Sequence, residues 1–498
     1  MDLPTIGSIN LLALLPVIML LGGTCVLLLV DLFIPRERKY WTAWLALVGV
    51  FASATVIVSQ TSSYVATGLA LEAFNGMVVV DGFSLFLQAL FLVTAFLGIL
   101  IAMNYLPRRN IQRGEYYSLI LFSTAGMMIM SMAADLMVVF LALELLSIPL
   151  YVLSAFLRPD TASEESGMKY FLLGAFASGF LVYGIALTYG GTGTTSLQGV
   201  VNALAGEASS LPLALAGMAM ILVGLGFKVA VVPFHMWTPD VYQGAPTPVT
   251  AFMSVGAKAG GFAALLRVLV IAMPGISSEW GTLAAVIAIL TMILGNFVAI
   301  SQSDIKRMLA YSSIAHAGYI MLAVSAAQVP EVAPLAVSAA IFYLLTYAFT
   351  NLGAFAVVIA LEKNDGTGTQ IDDYAGLGKT HPVLALAMTL FMLSLTGMPV
   401  SAGLVGKFFV FKAAIQAATG HPWILAGAII GVLTSVVSAF YYMRVVLMMY
   451  MREGDGQASL QPALTIGLAI TALVTLVLGV IPTPLFNLAQ NALLALAG

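Results

Sequence analysis

The chain has 498 residues, is 61% hydrophobic and only 8% charged, against about 25% charged residues in soluble domains. That balance excludes a soluble core, and a net charge of −3 gives no case for a nucleic-acid partner. Cys25 is the only cysteine, so the chain cannot alone supply the roughly four thiolates of an iron–sulfur cluster. Neither a Walker loop nor a GxGxxG after a strand pattern is present, so nucleotide binding is not indicated.

Apolar runs near twenty residues recur along the whole length, each about long enough for a ~30 Å hydrocarbon core. The pattern predicts an all-α polytopic membrane protein lying in the lipid bilayer. The polar/apolar alternation of an outer-membrane barrel is absent. The first run, 10–34, lacks a basic flank and a small-residue cleavage site and reads as a retained span. The next spans fall at 40–60, 80–103, 115–132, 135–157, 167–189 and 211–234. They continue at 247–272, 280–301, 305–326, 333–361, 383–418, 424–449 and 462–486, making about fourteen. The twelfth is too long for one straight crossing and contains Gly397, Pro399 and Gly403, which predicts a broken helix.

Basic residues orient the set. Arg36, Arg38 and Lys39, then Arg108, Arg109 and Arg113, then Arg158 and Lys169, follow odd-numbered spans. Lys306, Arg307, Lys363, Lys379 and Arg452 do the same, whereas the loops between contain almost no lysine or arginine. Odd spans therefore exit to the cytoplasm, and both termini are expected on the non-cytoplasmic side.

A weak internal repeat underlies this layout. ADLMVVFLALELLSIPLYVL is similar to SDIKRMLAYSSIAHAGYIML, each opening on an aspartate suited to capping a helix. KYFLLGAFASGFLVYG is similar to FYLLTYAFTNLGAFAV, and the segment around Lys228 to that around Lys407. Five spans per copy is an odd number, so the copies insert in opposite senses. Two inverted five-helix repeats with broken helices are the mark of ion-coupled transport folds. The expected division is three N-terminal helices (1–114), repeat one (115–272), repeat two (278–449) and a C-terminal helix (450–498).

Charges inside the spans are few. Lys228 lies in GLGFKVAVVPFHMWTPDVYQGAPTPV, Lys258 in FMSVGAKAGGFAALL, Lys407 in GLVGKFFVF, and Glu144 in VVFLALELLSIPLYVL. A lysine at mid-bilayer costs roughly 2.5–3.5 kcal/mol on insertion scales, so each needs a partner or a water path. Glu144 reads as a buried mid-membrane carboxylate with Ser147 and Tyr151 on its face; a structural hydrogen-bonded carboxylate is the plainer alternative. Lys258 sits at mid-depth between Gly256 and Gly260, whose GxxxG spacing admits a close neighbouring helix, and is too deep to snorkel. Lys412, near a span end, reads as a snorkelling lysine, and Arg267 is ambiguous. Lys228 and Lys407 each adjoin a helix break, which is tolerated at depth only when buried or lining water. His235 and His316 suit either a shuttle or a structural role, with His235 two turns past Lys228 if that helix continues. No residues have metal-ligand spacing.

These residues carry a resemblance. GFKVAVVPFHMWTPDVYQGAPTPVTAFMSVGAKAG, with SDIKRMLAYSSIAHAGY and GLVGKF, resembles the antiporter-like membrane subunits of respiratory complex I, NADH:quinone oxidoreductase. FHMWTPDVYQGAPTPV is most similar to the subunit N branch, and the likeness runs across all fourteen spans. It implies a non-redox, proton-translocating membrane-arm subunit of a bacterial inner membrane, driven by redox energy from its partners. Glu144 would be the modulating carboxylate, Lys228 the proton acceptor, Lys258 the relay and Lys407 the exit-side donor, with His235 and His316 auxiliary. No cofactor is implied in this chain; NADH, FMN, iron–sulfur clusters and quinone would belong to partner subunits, and its neighbours would be the antiporter-like sisters and small membrane subunits. Three other readings are a monovalent cation/proton antiporter subunit, the homologous subunit of a photosynthetic ferredoxin-linked complex, and a scaffold without conduction.

Overall fold

A computed structural model describes residues 10–206 and 210–492. Helices α1 (Leu15–Asp31) and α2 (Tyr40–Thr67) open the chain, followed by an antiparallel hairpin, β1 (Leu71–Ala73) with β2 (Val78–Val80). Then come α3 (Gly82–Arg108), α4 (Glu115–Met132), α5 (Leu136–Ser154), α6 (Thr161–Thr192) and the short α7 (Leu197–Leu204). The middle of the chain is α8 (Leu211–Val229), α9 (Trp237–Gly244), α10 (Thr247–Leu266) and α11 (Ser277–Ile300). It continues as α12 (Ile305–Ala326), α13 (Ala333–Leu361), the one-turn α14 (Leu377–Thr380), α15 (Pro382–Thr396) and α16 (Ala402–Gln416). The chain closes with α17 (Pro422–Met451), α18 (Pro462–Val480) and α19 (Thr483–Asn491).

Among the described residues 11 helices are long and apolar enough to cross a membrane. The remaining expected spans correspond to α1 and α4, of 17 and 18 residues, and to the pair α15–α16 of 15 residues each. The fourteen-span reading thus matches helices throughout. The terminal residues on which the predicted sidedness of both ends rests, 1–9 and 493–498, lie outside the described residues.

Burial separates the helices into two classes. In α10 and α12, 94% of the most apolar 18-residue window is buried, and in α13 all of it, whereas in α6, α17 and α18 only a third is. The second group presents Phe171, Phe176, Val432 and Phe440 outward, as lipid-facing helices do when every backbone group is satisfied internally. The first group forms the central row, and the chain's interior polar side chains concentrate there.

The inverted repeat is visible in the hydrogen bonds. Asp135 caps α5 through Met137 N and accepts from Thr195 Oγ1 at 2.8 Å, with an isolated antiparallel bridge to Ser196. Asp304 caps α12 through Arg307 N and accepts from Thr369 Oγ1 at 2.8 Å, with the same kind of bridge to Gln370. One aspartate enters its span from the non-basic side and the other from the basic side. The same local design therefore stands at opposite membrane faces, as the two similar sequence segments predict. Removing either cap by Asp→Ala is expected to cost about 0.5–2 kcal/mol, read as a lower thermal unfolding temperature of the purified protein.

Of the two chain breaks, one differs in detail from expectation and the other matches it. The seventh span ends at Val229, earlier than position 234, because Ala230 turns left-handed (φ 62°). The following segment 230–236 is irregular before α9 begins, and Trp237 Nε1 donates to the Phe227 carbonyl, closing the end of α8. In the twelfth span α15 stops at Thr396, with Gly397 (φ 91°) and Val400 (φ 65°) both left-handed. A β-branched residue in that region is uncommon, and the predicted break is where the glycines place it.

Candidate functional site

Lys228 closes the last turn of α8 and is buried. Its Nζ donates to Ser147 Oγ at 2.8 Å and to Tyr170 OH at 3.0 Å, and lies 5.1 Å from the Tyr170 ring. Tyr170 is stacked on Trp237 at 4.5 Å, so the WTPD segment after the break fixes the lysine's partner. Lys228 and Glu144 do not meet directly. Ser147, one turn along α5 from Glu144, is the group that reaches the lysine, and the Glu144 carboxylate accepts from Ser178 Oγ at 2.5 Å.

Glu144 is half-buried within this chain. α5 runs along the periphery, and Leu141 and Ile148, one turn to either side, are 61% and 54% exposed. The face of α5 that carries Glu144 is therefore the outer one. Arg267, left ambiguous by the sequence, is wholly buried and paired with Asp81 at 2.8 Å. It also donates to the Ser131 carbonyl at 2.5 Å and is a fixed strut.

Lys258 lies in the central row and donates to the Ser313 carbonyl at 2.6 Å and to the Ser313 hydroxyl. Gly256 meets Met127 of α4, and Gly261 meets the Lys228 stem, where an added Cβ would stand 3.4 Å from Lys228 Cγ. These small residues let α4 and α8 approach α10 closely, so the two lysines hang from contacting helices. One turn beyond Ser313 on α12, His316 Nδ1 is bonded to Tyr343 OH at 2.6 Å and Nε2 to Tyr442 OH at 3.2 Å. Tyr319 follows a further turn along, and Lys407 Nζ sits 4.7 Å from its ring, within cation–π range.

Lys407 also donates to the Leu395 and Thr396 carbonyls at 3.1 and 2.8 Å. These are the unpaired carbonyls that end α15, where the helix dipole favours a cation. The break and the lysine thus complete one another. Lys412 is exposed and lines, with Lys407, Gln416 and Ser435, a cavity of about 760 Å³. Gly403 makes this arrangement possible, because a Cβ there would stand 1.7 Å from the Ser394 carbonyl oxygen. Gly403→Ala is expected to push α16 off α15 at a cost of about 1–3 kcal/mol and to separate Lys407 from its carbonyls. Lower thermal stability together with lower coupled turnover would show it; an unchanged protein would contradict the tight crossing.

The structure thus brings Lys258, Ser313, His316, Tyr319 and Lys407 into one buried line, with Lys228 and Ser147 adjoining it. His235 is not joined to that line. It is buried within the chain break, and the helix does not continue to it from Lys228. Sequence reasoning passed over Ser313, Tyr319, Tyr343 and Tyr442. The polar face SS..H..Y in α12 could have identified the first two, while the other two come from helices met only in three dimensions. It also passed over Asp240, which bridges Lys169 and Arg307 at 2.7 Å each and ties α6, α9 and α12 together.

Such a fold, with inverted repeats, two broken helices and a central row of lysines, defines an antiporter-like membrane subunit. Residues 133–438 match the family described as "NADH:quinone oxidoreductase/Mrp antiporter, TM". The chain is 46% identical over 490 residues to the NADH-quinone oxidoreductase subunit N of Trichlorobacter lovleyi, with 97% of each chain covered. It superimposes on a chain of respiratory complex I from Thermus thermophilus with a TM-score of 0.78 at 34% identity, covering 95% of this chain and 99% of that one. A chain of the Mrp complex from Dietzia sp. shares the fold at a TM-score of 0.78 and 23% identity, with 97% of each chain covered. The chain belongs to the NADH:quinone oxidoreductase/Mrp antiporter family of membrane subunits.

Proposed function

We propose that this chain is a proton-translocating membrane-arm subunit of a NADH:quinone oxidoreductase, the complex for which its curated relatives are named. The observation that carries the reading is the buried line from Lys258 through Ser313, His316 and Tyr319 to Lys407. Every member is a proton donor or acceptor, and among the described residues Lys258 and Lys407 are held by hydroxyl and carbonyl groups, with no carboxylate in ion-pair contact. A lysine so held can give up or regain its proton as neighbouring charge changes. Glu144 modulates from the outer face, Lys228 accepts, Lys258 relays and Lys407 donates at the exit. His316 carries the proton between the last two, and His235 contributes as an auxiliary polar group at the break.

Redox chemistry would reside in partner subunits holding FMN, iron–sulfur clusters and the quinone site. One cysteine, Cys25, exposed on α1, supports that division. The antiporter-like sisters and small membrane subunits would be the lateral neighbours, in a bacterial inner membrane with both termini non-cytoplasmic, as the basic loops indicate. The same reading divides the chain at 1–114, 115–272, 278–449 and 450–498. Sodium exchange is less well supported, because sodium and other hard cations favour oxygen cages rich in carboxylates and the central charges here are lysines.

The test is affinity purification in mild detergent followed by NADH:quinone assay and proteoliposome acidification without sodium. Co-elution with flavin and iron–sulfur subunits, and acidification that sodium does not alter, are expected. Recovery with small antiporter subunits only, or activity that requires ferredoxin, would contradict the assignment.

A further inference from the structure

Outside the lysine line, Glu362 has a built, buried polar environment. It follows the last residue of α13 at the basic face and is 4% exposed. Its carboxylate accepts from Tyr105 OH at 2.8 Å and from the Thr247 hydroxyl, with Arg109 Nη1 at 3.9 Å. Lys306 and Tyr374 share its electrostatic surroundings. On its outer side Glu362 forms part of the wall of a groove of about 500 Å³, with Arg108, Lys363, Asn364, Asp365 and Ser459. That polar lining belongs to the basic-side loops, so the groove opens towards water.

On its inner side Glu362 touches the helix that carries Lys258. Thr247 is the first residue of α10, and Thr250, Ser254 and Lys258 follow at i+3, i+7 and i+11, all buried. That spacing puts the four on one face, spanning about 16 Å at 1.5 Å per residue. Asn351 of α13 donates to Ser254 Oγ at 2.7 Å, while its own Oδ1 makes no hydrogen bond among the described residues. A buried amide oxygen left in this way beside a hydroxyl stripe is a site for a bridging water. The stripe ends at Lys258, and nothing in the line from Lys258 to Lys407 explains it.

We propose that Glu362 loads protons from the basic-side water onto the path to Lys258. The inference rests on the proton-translocating reading above and adds to it an entry point that reaches Lys258 directly, beside the acceptor Lys228. A hydronium ion in the groove loses a proton to a Glu362 carboxylate oxygen, forming an O–H bond and leaving water. The Thr247 hydroxyl, which donates to the carboxylate, then turns its hydrogen inward; the Glu362 O–H bond breaks as its proton passes to the Thr247 oxygen, and the inward-turned hydrogen passes on along the stripe. The neutral Lys258 amine gains the N–H bond, and Glu362 returns to carboxylate. No electrons move. A carboxylate at this point serves because it exchanges protons with water yet is already hydrogen-bonded to the first inner hydroxyl.

The test uses the assembled complex in proteoliposomes and measures NADH turnover with proton uptake from the basic side. Glu362→Gln keeps the size and the acceptor oxygen but cannot load a proton, and is expected to slow coupled turnover tenfold or more. Glu362→Asp is expected to restore most of the rate. Arg109→Gln breaks the same ion pair from the other side and is expected to keep more than half the rate. A wild-type rate in Glu362→Gln, or equal losses in Glu362→Gln and Arg109→Gln, would overturn the proposal, the second result reassigning Glu362 to holding the loop. If Glu362→Gln does not assemble, Thr247→Val, which removes only the first inner hydroxyl, decides: slowed uptake is expected, and a wild-type rate overturns it. Lys258→Ala measured in parallel separates the two levels. Loss there beside a normal Glu362→Gln discards the entry point alone, whereas normal rates in both discard translocation through this chain.

Discussion

Lys258→Arg is expected to be as inactive in proton-coupled turnover as Lys258→Ala, although it keeps the positive charge. Arginine stays protonated under all relevant conditions, so it can satisfy the Ser313 contacts without ever releasing a proton. If the buried cation acted only by its charge, arginine would restore function. The account requires exchange of the proton, and loss of one positioned proton-transfer group is worth roughly a hundredfold at the low end of measured cases. NADH:quinone turnover of the purified complex, compared across wild type, Lys258→Ala and Lys258→Arg, separates the two. Near-normal turnover in the arginine variant would reassign Lys258 to a fixed electrostatic role.

The second large effect concerns stability alone. Arg267→Met is expected to destabilise the subunit by about 3–5 kcal/mol, because it breaks a buried ion pair by removing the guanidinium partner of the Asp81 carboxylate. Both side chains of the pair are wholly buried, and Arg267 also holds the Ser131 carbonyl. Asp81 caps α3 through Ser84 N, so the pair ties the non-basic ends of α3, α4 and α10 together. The expected signature is a lower unfolding temperature and less assembled complex, with turnover per assembled complex close to wild type. A normal unfolding temperature would show the pair to be dispensable; normal stability with lost turnover would place Arg267 on the proton path.

Much of this architecture was legible in the sequence because hydrophobic length and basic loops are read residue by residue. The spans, the break at Gly397 and the capping aspartates Asp135 and Asp304 follow from local rules. Lys228, Lys258 and Lys407 announced themselves by cost, since a cation in an apolar run has few explanations. What the sequence hid depends on which helix meets which. The partial exposure of Glu144 is not legible in its apolar span, because it depends on which helices pack against α5. Whether the helix runs on from Lys228 to His235 was open in the sequence, because a left-handed alanine at position 230 carries no sequence mark. Tyr343 reaches His316 from the next helix and Tyr442 from one far along the chain, and ordinary aromatic residues in apolar spans read as packing. Glu362 was passed over for a related reason. It stands just beyond a span in a loop with other charges, and its burial comes from Tyr105 and Thr247 across the fold.

The measurement that tests the central claim most directly is the proton-to-electron ratio of the reconstituted complex carrying Lys258→Ala, taken at whatever turnover remains. The line from Lys258 to Lys407 predicts that protons fall relative to electrons, or that turnover ceases because the two are inseparable. Full turnover at the wild-type ratio would mean that protons do not cross this chain by that line.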